Sequence, residues 1–398
     1  MIHSKILLGV GLVSALFLSS CEGFFGSKTK TDFIEPPNTN VKIISYVPIQ
    51  PVIKGLNNPT DICIGYDQLI YVVDAGAEKI ISYDESGNKL SEYSLNGVTA
   101  VAQDRKLELI AIGKTDTTIN GQSYKLSTLF RISLYNNGNY GLKYARILNK
   151  TVHPFYYKQT FEDADAKTQF MQIAVLGSNK YYVTRSGPRN SVTQFGGPDD
   201  AVLQFLESDK YLSPVLVETQ TGLFQDYFRK PSGISALAQP PQSTNVNLSN
   251  DFVFTSIDIN APIKVQYISR LETDNGSSFN LKELTGGDTS KAEKFLYTPD
   301  RFNKPVDVTF GGDGANLIIV ADSERDSVYI FGTNGYEGIK PPPGYNSTKY
   351  LIVSFGGAGT GITQFNRPTA VAYKDEILYV ADAGNNRILR FKLTSDIQ

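Results

Sequence analysis

The sequence predicts an all-β chain assembled from repeats, and three observations carry that expectation. The stretch Phe365 to Phe391, FNRPTAVAYKDEILYVADAGNNRILRF, reads as one complete unit. In it Pro368 heads a short apolar strand (Thr369 to Tyr373), Lys374-Asp375-Glu376 reverses the chain, Ile377 to Ala381 returns, and Asp382-Ala383-Gly384-Asn385 turns again before Arg387 to Leu393. The same pattern recurs, with Asp following Pro by fifteen residues at Pro59 and Asp74, by fourteen at Pro368 and Asp382, and by seventeen at Pro305 and Asp322. Composition agrees: 34 Gly, 23 Tyr and 22 Phe suit turn-rich β structure, and no helix-period stretch follows the N-terminus. A unit of three or four short strands cannot bury both of its faces alone, so such units imply neighbours of the same kind.

With 398 residues, 41% of them hydrophobic, the chain is long enough for one large all-β domain. A formal charge of only −2 leaves no electrostatic footprint for nucleic acid. No cofactor is expected.

Met1 to Ser20 has a lysine, then an apolar run from Ile6 to Leu18, then Leu18-Ser19-Ser20-Cys21. The run is too short to span a bilayer stably, and small residues before a Cys suit a narrow cleavage site. The segment resembles a bacterial lipoprotein signal peptide of the kind found in Bacteroidetes; an ordinary secretory signal with a chance Cys is the alternative. The resemblance implies that residues 1–20 are removed and that Cys21 becomes the acylated first residue, so membrane association runs through an N-terminal lipid, in the outer rather than the inner membrane. Cys63 is then the one free thiol, expected as a small buried hydrophobe. Residues 21–40 read as a tether, rich in Gly, Ser, Thr, Lys and Pro, with a span of roughly 20 to 25 Å.

Residues 41–398 form the folded domain. Val41 to Ile49 is a strand, and Leu56 to Tyr83 is the first repeat. Val98 to Ala102, Leu107 to Ile112 and Thr128 to Leu134 make a second unit with an insertion, Gly113 to Ser127. Met171 to Leu176, Tyr181 to Thr184 and Ala201 to Phe205 make a third, with Arg185 to Asp200 inserted. Phe228 to Leu237, Phe252 to Ile257 and Ile263 to Ile268 make a fourth. The clear repeats resemble the NHL repeat, which implies a β-propeller. Six blades result; five or seven fit the degenerate middle less well. Radial packing also protects strand edges. The last repeat stops before an outer strand, so Val41 to Ile49 is expected to supply it and close the ring.

Chemistry is sparse. Beyond the signal segment there is one His, His153, expected at the surface, and no Gly-x-Ser-x-Gly or His-Glu-x-x-His pattern. Six-bladed relatives of the peptidyl-amidating lyase kind hold zinc with several His residues, so that pattern is not carried over; nor does any motif match the calcium-dependent lactonases residue by residue. No metal ligand is assigned. Asp74, Asp322 and Asp382 read as acceptors for turn N–H groups, and Asp199-Asp200 and Asp313 as solvated turns. The absence of Trp lowers the expectation of a carbohydrate platform, though Tyr can stack on sugars.

The expected function is therefore a membrane-anchored, extracytoplasmic propeller that binds a protein, small ligand or glycan in the cell envelope. The alternative is a calcium-type hydrolase or lyase working in the central channel. Alternation of strand direction puts the Gly113 to Ser127 and Arg185 to Asp200 insertions on one face. There Arg185, Arg189 and Asn190 beside Phe195, with Arg325 from across the ring, are the candidate binding residues. Insertions Ala238 to Asp251 and Gly332 to Lys349 define the competing site on the other face. The lipid anchor is tested directly by Cys21→Ala, which is expected to move the protein from the membrane to the soluble fraction. Unchanged partition, with no acyl mass on the mature N-terminal peptide, would overturn it.

Overall fold

All five residues of the strand Ile70–Asp74 (IYVVD) are buried, and so are all six of Leu317–Asp322 (LIIVAD). Strands buried on both faces need a packed neighbour on each side. The computed structural model meets that need with a six-bladed β-propeller. It describes residues 44–397 apart from 194–195, 225, 238–248, 274–275, 285–286, 313, 315, 344 and 346; the signal segment and the whole tether, Cys21 included, lie outside the described residues. No helix among the described residues is long and apolar enough to cross a membrane.

From the axis outward, blade 1 comprises Pro59–Ile64, Ile70–Asp74, Lys79–Tyr83 and Lys89–Ser94. Blade 2 comprises Ala100–Gln103, Leu109–Ile119, Gln122–Ser133 and Arg146–Val152, and blade 3 Gln169–Val175, Tyr181–Ser186, Ala201–Phe205 and Tyr211–Pro214. Blade 4 has Pro231–Ala236, Phe252–Ser256, Val265–Thr273 and Gly276–Leu281, widened by Val217–Thr219 and Gly222–Phe224. Blade 5 has Pro305–Gly311, Leu317–Asp322, Ser327–Gly332 and Phe355–Gly356. Blade 6 has Pro368–Lys374, Ile377–Asp382, Arg387–Leu393 and, outermost, Tyr46–Ile53.

Two details differ from the sequence expectation. Gly113 to Ser127 is not a loop: the two middle strands of blade 2 run on as a ladder to Ile119 and Gln122. The turn between them is Asn120-Gly121, with φ of 50° and 80°, the left-handed pair that a tight hairpin requires. Blade 4 gains its extra strands because Val217 pairs in parallel with Phe279.

Closure is as expected in kind and shifted in extent. Tyr46 pairs with Leu393 and Ile49 with Arg390, and the strand continues to Ile53 opposite Ile388. Pro48 and Pro51 do not end it, because the outermost edge needs no donor from them. Residues 41–43 lie outside the described residues.

The repeated Asp is the lock of each clear unit. Asp74 accepts the Asn57 N–H at 2.8 Å, Asp322 that of Asn303 at 2.7 Å, and Asp382 that of Asn366 at 2.7 Å. Each donor sits two residues before the blade's Pro, so the carboxylate ties the lead-in segment to the turn after the second strand. Asp322 also takes the N–H groups of Glu324 and Arg325 in its own turn. In blades 1 and 6 the Gly two residues on closes the tie from the other side: Gly384 N–H donates to Asn366 O at 2.8 Å, and a Cβ there would lie 2.5 Å from that oxygen.

Strand direction alternates, so the Asp turns and inter-blade connections share one end of the ring, here the turn face, and the inner hairpins share the other, the hairpin face. The chain enters through Ile44 and Ser45 at the hairpin face, because Tyr46 pairs with the last residue of the third strand. Gly384→Ala is expected to cost about 1–3 kcal/mol by forcing the two segments apart, read as a lower urea midpoint at unchanged m-value; an unchanged midpoint would show that the turn can give way.

Candidate functional site

Five of the six inner strands bulge close to their first residue, as between Pro59 and Asp61 and between Pro305 and Asp307. A bulge re-aims side chains, and here the two acids meet at the axis. Asp61 Oδ1 accepts from Gln172 Nε2 and from Ile62 N–H, both at 2.9 Å, while Oδ2 accepts Val101 N–H at 2.7 Å. Asp307 Oδ2 accepts Val371 N–H at 2.9 Å. Burial pushes Asp61 up to about 6. Burial, and then the charge of Asp61, push Asp307 up to about 8. At neutral pH the pair holds a proton rather than two charges.

The same ring carries inter-blade hydrogen bonds from hydroxyls. Thr369 Oγ1 donates to Pro59 O at 2.8 Å, Thr60 Oγ1 to Thr99 O at 2.9 Å, Thr184 Oγ1 to Ser232 O at 2.8 Å and Ser232 Oγ to Pro305 O at 3.0 Å. What cavity is left on the axis is about 40 Å³, room for a water or two. A calcium ion takes about six to eight oxygens. The channel carboxyls already receive four N–H groups and are driven towards the neutral form, so the residues there do not fit calcium. No cluster of three or more metal-ligating side chains occurs among the described residues.

The residues singled out in the sequence are engaged in holding the chain rather than offered to a ligand. Arg185 is buried: Nε donates to Asp199 O at 2.8 Å, Nη1 to Tyr156 Oη and Nη2 to Pro198 O, both at 2.6 Å. Arg189 bonds to Glu162, Asp165 and, at 3.3 Å, Asp199. Asn190 Nδ2 donates to Gly187 O at 3.1 Å and Asp200 Oδ2 at 3.0 Å, and its Oδ1 accepts Asp200 N–H. Arg325 belongs to blade 5, donating to Asn303 Oδ1 at 3.1 Å and Asp300 O at 3.3 Å. The structure thus brings Arg185, Arg189 and Asn190 together as the frame of one loop and does not add Arg325 to them. Phe195 lies outside the described residues, as do Asp313 and residues 238–248.

Two expectations are corrected here. His153 is buried rather than exposed, packed among Tyr156, Tyr157 and Phe170, with Nε2 3.7 Å from Asp165 Oδ1; burial pushes its pKa down. Asp199 and Asp200 are not solvated turns: both are buried, because the blade 3 loop folds back on them through Arg189 and Asn190. Cys63 is buried between blades 1 and 2 as expected, and burial pushes its thiol up.

A roomier concavity than the axis lies elsewhere. Between blades 5 and 6, on the hairpin face, a pocket of about 440 Å³ is lined by Tyr46, Asn316, Leu317, Thr333, Asn334, Ile339, Lys340, Tyr350, Tyr373, Leu393 and Asp396 among others. The long blade 5 connection that forms its wall is pinned. Ile339 and Leu351 exchange backbone bonds at 3.0 and 2.9 Å, and Asn334 Nδ2 donates to Tyr350 Oη at 2.7 Å. The buried Glu337 takes Arg301 at 2.6 Å and Ser354 Oγ at 2.8 Å. Tyr46 stacks on Phe355 at 5.6 Å. This is the face of the competing insertion, Gly332 to Lys349. Sequence reasoning missed Tyr46, Asn316 and Tyr373 because they come from separate segments with no local motif. A second recess, on the turn face beside Lys54 and Arg387, is of similar size, about 420 Å³, but Asn385 and Arg387 there already hold Asp382.

No protein-family model and no curated protein matches the sequence. Solved structures share the fold. The PQQ-bound aldose sugar dehydrogenase of Streptomyces coelicolor is 11% identical, aligning 88% of this chain with 98% of that one at a TM-score of 0.50. The luciferin-regenerating enzyme is 10% identical, with 87% and 95% covered and a TM-score of 0.50. Virginiamycin B lyase from Staphylococcus aureus is 11% identical, with 88% and 99% covered and a TM-score of 0.43. Likeness at such identities is of architecture alone.

The channel pair has a pH signature. A carboxyl raised in the fold from 3.8 to about 8 gains protons on folding, so its contribution is intact below about pH 4 and is lost as the pH climbs to about 8. Asp307→Asn keeps an acceptor for Val371 N–H and removes that loss. Urea unfolding at pH 5, 7 and 9 is expected to show wild type falling by about 4 kcal/mol relative to the variant over this range. Parallel profiles would mean that Asp307 titrates normally.

Proposed function

We propose that this protein is a ligand-binding propeller of the bacterial envelope, NHL-like in its repeats and held to the outer membrane by a lipid on Cys21, with binding rather than catalysis as its task. The observation that carries this reading is the contrast between two cavities. The axis, where propeller chemistry would sit, holds about 40 Å³ plugged by Asp61, Gln172 and Asp307, whereas the pocket between blades 5 and 6 offers about 440 Å³. The larger volume lies in the usual range for small-molecule sites and has a mixed apolar and polar wall. It also sits on rigid elements, which is how binding sites keep their geometry.

The second reading, hydrolysis or lysis in the channel, is favoured by one feature, the acid pair with raised proton affinity. Its weakness is access and donors: the carboxyl oxygens are already engaged, and no basic side chain lines the axis among the described residues.

Equilibrium dialysis of the full-length protein against a small-molecule extract of the envelope, followed by mass spectrometry, separates the readings. The wild type is expected to retain a compound that Tyr350→Ala retains at least tenfold less. Equal retention by both, or turnover of an ester or lactone that Asp307→Asn abolishes, would refute the binding reading.

A further inference from the structure

We propose that the pocket between blades 5 and 6 takes a neutral saccharide; this rests on the binding reading above and gives it a ligand class. The wall combines tyrosines (Tyr46, Tyr350, Tyr373) with neutral amides (Asn316, Asn334), and its two charged side chains, Lys340 and Asp396, are opposite in sign. A phosphate or nucleotide ligand calls for clustered cationic donors, and this wall has one lysine. An acyl chain calls for a wall without polar groups, since each one buried against it without a partner is costly. A peptide strand calls for an unpaired edge. The strand residues here are already paired, Leu317 with Gly332, Tyr373 with Leu378 and Leu393 with Tyr46.

A sugar meets every feature. Its hydroxyls donate and accept, as amide side chains do, and the apolar face of its ring packs on an aromatic plane. Tyr350 is held for such packing: its ring lies edge-on to Tyr336 at 5.1 Å and its Oη accepts from Asn334 at 2.7 Å. Half-buried and fixed at both ends, it loses little freedom on binding. The pocket also opens on the face where the chain enters, away from the Asp turns.

The test titrates full-length protein with neutral di- to tetrasaccharides of glucose, galactose, mannose and N-acetylglucosamine, alongside palmitate, a neutral tripeptide and inorganic phosphate. Saccharide binding is expected, weakened tenfold or more by Tyr350→Ala, kept by Tyr350→Phe, and weakened severalfold by Lys340→Ala, whose exposed position leaves the fold intact. Silence of the whole saccharide panel overturns the proposal, as does saccharide binding that neither Tyr350→Ala nor Lys340→Ala changes. Binding of palmitate, tripeptide or phosphate that Tyr350→Ala abolishes also overturns the ligand class while leaving the binding reading in place.

Discussion

Ile70 and Val72 pack towards blade 6, while Tyr71 and Val73, one residue along in each case, pack towards blade 2. That two-sided burial recurs in every blade, and it divides the core into six clusters, each shared by adjacent blades. No sheet is then stable alone, and a row of sheets would leave two apolar faces in water at its ends. Burying an apolar surface is worth roughly 25 cal/mol per Å², so closing the ring removes the largest single penalty available to an open array. The closing strand Tyr46–Ile53 lies at the outer edge of blade 6, yet it depends on this constraint: it fixes the one sheet whose strands come from both ends of the chain.

Much of this was legible because the repeat encodes it locally. Pro sets the start of the inner strand, Asp and Gly set the turn, and continuous apolar runs between them announce burial on both faces. The degenerate middle was legible more coarsely, from alternation alone. What escaped had no local code. The Asn120-Gly121 turn was a readable hairpin signal, but the polar run around it read as a loop because its strands pair with each other beyond the blade body. His153 looked exposed because a lone His in a Pro-flanked connection gives no sign of the aromatic residues that close over it. Arg185 looked available because a guanidinium on a long insertion is usually solvated; here the insertion folds back and uses it as a frame.

Electrostatics separates the two concavities in the same way. At the axis, desolvation dominates: two acids are brought together by bulges, and their cheapest state is to hold a proton rather than two charges. Asp61 fastens blade 1 to blades 2 and 3 through Val101 and Gln172, and Asp307 fastens blade 5 to blade 6 through Val371, so the inner ring is polar yet closed. Between blades 5 and 6 the polar groups sit at a solvent boundary, where water competes for their hydrogen bonds and desolvation is small.

Tyr46 joins these themes. It is the first residue of the closing strand, it packs in the core shared by blades 5 and 6, and it is a wall of the pocket. The pocket therefore exists only when the ring is closed, since Tyr46 from the N-terminus and Leu393 and Asp396 from the C-terminus meet there with Tyr350 of blade 5. A ligand that touches all three segments binds the closed ring and not the open one, so its binding energy adds to closure by linkage. Affinity and stability are then coupled at this site. A substitution that loosens Tyr46–Ile53 lowers affinity by the fraction of open rings it creates, even when no residue touching the ligand is changed.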